Sequence, residues 1–395
     1  MKKTLAAVAV LGAFAGSALA ADVQLYGIVD TGIGYNHVDA DGLGEDTDSF
    51  EMKSGQASGS RWGLKGTEDL GNGLTVGFIL EDGFSSDTGS EGEDVMFNRE
   101  SSLFIEGGFG KLAMGRIGSI NNGQSSWATV GMINAFGTSD WGGYSAQVGN
   151  IMATAGVWDN MVAYQTPEFA GFKVYAQYGM GNTIKDNDSE ENESSSDRYY
   201  AIGATYKNGP FSAYLAVDSI NYATFGPKVA HADSIDDSLS VTLGGSYDFE
   251  VVKVYLGAQY FDEVKATKFG GVINDIEMAN GVDAIGANDK VKGYAISLTG
   301  DAPLWGGKAM FGVAYMDAES ADSFEDFHAQ ESFDFKRYVV SVGYDYPFSK
   351  RTDVYAVASY MQDKVETSQG NTIENYSVDA DPSAYTFYVG LRHRF

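Results

Sequence analysis

Along much of the chain, apolar and polar residues alternate singly. In "SLSVTLGGSYDF", Leu239, Val241, Leu243, Tyr247 and Phe249 fall on one face, and Ser240, Thr242, Gly244, Ser246 and Asp248 on the other. Phe172, Val174, Ala176 and Tyr178 oppose Lys173, Tyr175 and Gln177 in the same way. So do Val252, Val254, Leu256 and Ala258 against Lys253, Tyr255 and Gln259. A period of two marks strands whose two faces meet different surroundings. Strands of a soluble sandwich run to about 5–6 residues. These reach about ten, the length that crosses a bilayer at a tilt.

The connections alternate in length as well. Short turns at Glu68–Gly73, Gly107–Gly110, Pro167–Gly171, Lys207–Pro210, "DFEV", "APLWGG" and "PFSKRT" join strands in pairs, and long polar stretches join the pairs. Seven short turns and eight long loops predict sixteen strands. The expected fold is all-β, a 16-stranded antiparallel transmembrane β-barrel with short turns at one rim and long loops at the other. The chain ends in "YTFYVGLRHRF", with Tyr385, Phe387, Val389, Leu391 and Phe395 on one face. That strand should close onto the first, Val23–Tyr35, because an open edge in lipid leaves backbone groups unsatisfied.

Composition adds the compartment. Lys2 and Lys3, the apolar run Leu5–Phe14 and the small residues Ala18-Leu19-Ala20 form a secretory signal, residues 1–20, leaving 21–395 as the barrel. The run is shorter than the roughly 20 residues a membrane helix needs. Cysteine is absent, so disulfides and thiolate–metal chemistry are excluded. An exported chain without staples has to be held by one large regular architecture. The formal charge of -28 gathers in three runs, Asp39–Glu51, Lys185–Asp197 and Glu319–Asp334, each with six acids and lying between strand segments. They read as solvated loops or as a negative rim around an opening. Such a balance leaves no basic surface for nucleic acid. Of the four histidines, His37, His231, His328 and His393, none has the setting of a catalytic triad and no pair has metal-ligand spacing. No enzyme activity, cofactor or metal is expected.

Longer stretches carry a resemblance. "VQLYGIVDTGI", "GSRWGLKGTEDLGNGLTVGFILEDGF" (Gly59–Phe84), "FNRESSLFIEGGFGKLAMGR" (Phe97–Arg116), "YQTPEFAGFKVYAQY" (Tyr164–Tyr178), "YDYPFSKRTDVYAVASY" (Tyr344–Tyr360) and "VGLRHRF" together resemble the general porins of Gram-negative bacteria. The resemblance implies a water-filled channel for passive diffusion of ions and small hydrophilic solutes. It implies a homotrimer in the outer membrane, among its lipids and lipopolysaccharide. It further implies delivery by the barrel-assembly machinery with Phe395 as insertion signal, and a long third loop folded into the lumen. Residues 118–157 suit that loop: they are rich in Gly, Ser and Asn and nearly free of charge apart from Asp140, unlike the acidic neighbours.

Inward side chains set what passes such a pore. With Trp62 and Leu64 turned to lipid, Arg61 and Lys65 face the lumen. The resemblance adds Arg99 and Arg116 as rungs of a basic ladder opposite the third loop. Arg99 and Glu100 are neighbours, so a regular strand turns only one inward; the resemblance favours Arg99, and alternation with Leu103 and Ile105 leaves the register open. Asp30 and Glu81 are inward acids on neighbouring strands. The alternative reading is a substrate-selective porin, for a sugar or another specific solute, with an aromatic slide begun by Tyr26, Tyr175 and Tyr255.

Overall fold

A computed structural model describes residues 22–91, 95–181, 191–223, 236–265, 269, 271–272, 290–322, 331–370 and 375–395. The expected signal segment, residues 185–190 and 323–330 of two acidic runs, and His231 and His328 lie outside these residues. The alternating segments form strands β1 (Gln24–Asp39), β2 (Thr47–Ser54), β3 (Arg61–Gly71), β4 (Leu74–Gly83), β5 (Glu100–Gly107) and β6 (Gly110–Gly118) before the third loop. After it come β7 (Val157–Gln165), β8 (Phe172–Gly179), β9 (Arg198–Asn208), β10 (Phe211–Asn221), β11 (Leu239–Asp248) and β12 (Lys253–Lys265). The last are β13 (Lys290–Leu304), β14 (Gly307–Ser320), β15 (Glu331–Pro347), β16 (Thr352–Gly370), β17 (Asn375–Ala380) and β18 (Ser383–Arg394).

These eighteen segments make sixteen wall strands. Both β2 and β3 pair with β1, the upper half through Val38↔Thr47 and the lower through Gln24↔Lys65, so they are one strand interrupted at 55–60. Likewise β17 and β18 both pair with β16, on either side of Asp381 and Pro382. Every pairing is antiparallel, and all seven expected short turns are hairpins. The barrel closes by β18 on β1, from Ile28↔Arg394 to Asp39↔Ser383. The last residue completes the seam: Phe395 N–H donates to Gly27 O at 3.0 Å, and Gly27 N–H to Phe395 O at 3.1 Å. Its ring lies against Gly27, where a Cβ would come within 2.4 Å of it.

The outer face carries two aromatic belts at the levels where a membrane meets water. Phe109, Phe169, Phe211, Phe249, Trp305 and Phe348 are exposed beside the short turns. Nearer the long loops, Tyr178 pairs with Tyr200, Tyr315 with Tyr338, and Tyr35 with Tyr385 across adjacent strands. Wall height is uneven. Strands β5 to β8 have only eight or nine residues, whereas β15 and β16 have 17 and 19.

Candidate functional site: the lumen constriction

The third loop runs inside the barrel, as expected. Its main chain is tied to inward side chains of strands far from its roots. Ala135 N–H donates to Thr299 Oγ1 on β13 and Ala146 N–H to Ser341 Oγ on β15, both at 2.8 Å. On β12, the Gln259 amide takes Ala153 N–H at 2.7 Å and returns a bond to Ala153 O at 3.1 Å. Arg337 donates to Asn150 O at 2.7 Å, held in turn by a buried ion pair with Asp363. Inward glycines make the room: a Cβ on Gly244 would stand 2.7 Å from Ile133 Cγ2, and one on Gly203 2.4 Å from Ile120 Cδ1.

The tip of the loop docks on the break between β2 and β3. Gln56 accepts Trp141 N–H on its carbonyl at 2.7 Å and Gly142 N–H on its side chain at 2.9 Å. Asp30 fixes that break. Fully buried, it accepts Ala57 N–H at 3.0 Å, Ser58 N–H at 2.8 Å and the Tyr355 hydroxyl at 2.6 Å. It is therefore inward, as read from the sequence, but sealed from the water path. Asp140 sits beside this docked tip with its side chain exposed, and its carbonyl accepts Gly143 N–H at 3.0 Å.

Opposite the loop stands a basic wall organised around one carboxylate. Glu81 receives the Arg99 guanidinium at 2.8 Å, Arg61 at 3.4 Å and the Tyr26 hydroxyl at 3.0 Å. Lys65 lies four residues below Arg61 on β3, its ammonium 5.1 Å from the Tyr26 ring centre. Arg99 and Glu100 both face inward, contrary to the expectation for a regular strand. The reason is that β5 begins only at Glu100, and Arg99 belongs to an irregular stretch after Phe97 (φ 58°). Glu100 is directly opposite Glu81 in register, and it holds the loop root by accepting Ser126 N–H at 2.8 Å and the Ser126 hydroxyl at 2.9 Å.

Arg116 departs from the expected ladder. Its register partner is Ser101, which places it on the face of Leu103 and Met114, 55% and 53% exposed on the outside of the barrel. There it pairs with Asp159 at 2.7 Å, where two residues of β7 bulge opposite one of β6. The inward base on β6 is Lys111, five positions earlier. Its ammonium lies 4.0 Å from the Phe104 ring centre and 5.2 Å from that of Trp127 on the third loop. Tyr26, Tyr175 and Tyr255 stand on β1, β8 and β12, too far apart around the wall to stack as a slide.

A family model described as Gram-negative porin matches residues 6–366. The chain belongs to the Gram-negative porins. An outer membrane porin protein of Bordetella pertussis is 35% identical over the whole of both chains, and outer membrane porin protein 32 of Delftia acidovorans 29% over the whole of both. Among solved structures, an anion-selective porin from Comamonas acidovorans superposes with a TM-score of 0.67 at 26% identity, over 95% of this chain and 100% of that one. This porin is an outer-membrane channel for passive diffusion of small hydrophilic solutes, and its family and fold are those of channel proteins.

Other lumen groups of the porin escaped the sequence reading. Arg392 faces inward directly opposite Asp30, pairs with Asp353 at 2.9 Å and Asp345 at 3.1 Å, and donates to Ala57 O at 3.1 Å. The terminal alternation already placed it opposite Leu391, so its orientation was readable. Its partners, on β15 and β16, were not.

Proposed function

We propose that the constriction of this porin favours anions, and that its acidic loops oppose that preference in dilute salt. The observation that carries the reading is the make-up of the wall facing the third loop: Arg61, Lys65, Arg99 and Lys111 against Glu81, which two guanidinium groups share, while Glu100 is buried against the loop root. A passing ion lies within a few ångströms of these groups. The loop acids act from farther away, through a screening length of about 10 Å at 0.1 M salt and about 3 Å at 1 M. A modest cation preference in dilute salt should weaken or reverse towards anions as salt rises. The solved relative named as anion-selective supports the same sign at the constriction. Reversal potentials across a salt gradient test this. Neutralising the acids of Asp39–Glu51 or of Asp186–Asp197 should matter only when salt is low, and strong anion selectivity in dilute salt would sink the reading.

The porin also acts as a homotrimer without enzymatic activity, after removal of residues 1–20. The low side of the wall, β5 to β8, with Leu103 and Met114 exposed, suits contact with sister barrels better than a full bilayer. Outer-membrane lipids and lipopolysaccharide cover the higher side, and the barrel-assembly machinery inserts the chain, with Phe395 at the closing seam. Conductance steps in multiples of three in planar bilayers test the assembly; single steps throughout would refute it.

A further inference from the structure

The root of the third loop crosses a patch of the inner wall that contains a carboxylate without a counter-charge. Gln177, Ala201 and Asp218 are successive register partners on β8, β9 and β10. Residues 118–121 lie across them. Gln177 Nε2 donates to Gly118 O at 3.1 Å, Asn121 Nδ2 to Asp218 Oδ1 at 2.5 Å, and Tyr214 hydroxyl to Asn121 Oδ1 at 2.6 Å. Ser119 falls between these ties. Tyr199, next above Ala201 on the same face, has its hydroxyl near Ser119 and the Ile120 main chain without closing a well-formed hydrogen bond to either, and it lies in the field of Asp218.

Among the described residues, three oxygens in this patch have no hydrogen-bond partner: Ser119 Oγ, Gln177 Oε1 and Tyr199 OH. Their residues are 0%, 6% and 0% exposed, and Asp218 is 6% exposed. Among the described residues no base pairs with Asp218; the Asn121 amide is its polar support. A buried carboxylate and three idle oxygens are costly unless something polar fills the space between them.

We propose that Asp218, Ser119, Gln177 and Tyr199 bind one alkali-metal cation at the root of the third loop. The donors are all oxygens, which select a hard cation. One carboxylate balances one charge, whereas calcium collects 6–8 oxygens, several of them usually anionic, and magnesium demands near-ideal octahedral geometry. The cation would tie the exit of β6 to β8–β10 and hold Ile120 against Gly203, fixing where the loop enters the lumen.

Crystals of the folded porin grown in rubidium or thallium(I) salt test this directly. Anomalous density beside Asp218 is expected in the wild type, lost in Asp218→Asn and weakened in Ser119→Ala. In solution the barrel should unfold at least about 2 °C higher in sodium chloride than in choline chloride of equal ionic strength, and the gap should vanish in Asp218→Asn. An ordered water in place of anomalous density, or no gap between the two salts in the wild type, overturns the proposal. The wild-type arms remain decisive if a variant does not fold. Channel conductance persists under either outcome, so failure here leaves the diffusion function untouched.

Discussion

Arg99 Nε lies 2.8 Å from Glu81 Oε1, although Arg99 is followed at once by Glu100, which faces the same lumen. The break before β5 is what lets both side chains point inward, and it makes Glu81 the common partner of Arg61 and Arg99. Selectivity at the constriction should therefore respond in opposite directions to the two kinds of charge.

Arg61→Ala and Arg99→Ala should shift permeation towards cations at every salt concentration, and Glu81→Gln should shift it towards anions. A unit charge 4 Å from an ion in water is worth about 1 kcal/mol, so each change should alter the permeability ratio by up to about fivefold. Reversal potentials across a potassium chloride gradient measure it. Equal shifts of one sign for all three variants would contradict the shared-carboxylate arrangement.

Lys111 and Arg116 make a paired comparison. Lys111→Met removes an inward charge and should lower anion permeability in the same assay. Arg116→Met should leave selectivity unchanged, because its guanidinium lies on the outer face. It strands the buried carboxylate of Asp159 instead, and should cost about 1–3 kcal/mol of stability, read as a lower unfolding temperature in detergent.

The third loop should be held by its docking and by the space left for it. Gln56→Ala deletes the side-chain acceptor for Gly142 N–H, a bond worth about 1 kcal/mol. Open-channel noise should rise and the closing voltage fall in single-channel records. Gly244→Val pushes directly on Ile133 and should destabilise the loaded lumen by about 1–3 kcal/mol. If both variants gate like wild type, the loop is held elsewhere.

Deleting Phe395 removes the last pair of backbone bonds across the seam and the ring over Gly27. Surface trimers should fall sharply and protease-sensitive periplasmic chains accumulate, as read by heat-modifiability on gels. Wild-type abundance of trimers in the deletion strain would exclude a role for this residue in assembly.

The sequence by itself determined the barrel, because a lipid face and a wet face impose a period of two on every strand. Leu239, Val241 and Leu243 announce their orientation without any knowledge of their neighbours, and "KNGP" announces its hairpin. Closure followed from the same logic, since Phe387, Val389 and Leu391 continue the pattern almost to the last residue. Tertiary structure decided what alternation cannot carry. A one-residue break before Glu100 turned Arg99 inward, and the register of β6 on β5 sent Arg116 out while leaving Lys111 in. The contact of Gln56 with Trp141, 85 positions later, and the burial of Asp30 beneath Tyr355 join residues that no local pattern connects. Periodicity is written by the solvent on each face, one strand at a time. Which charges meet across the lumen depends on how sixteen such strands and one inserted loop are brought together.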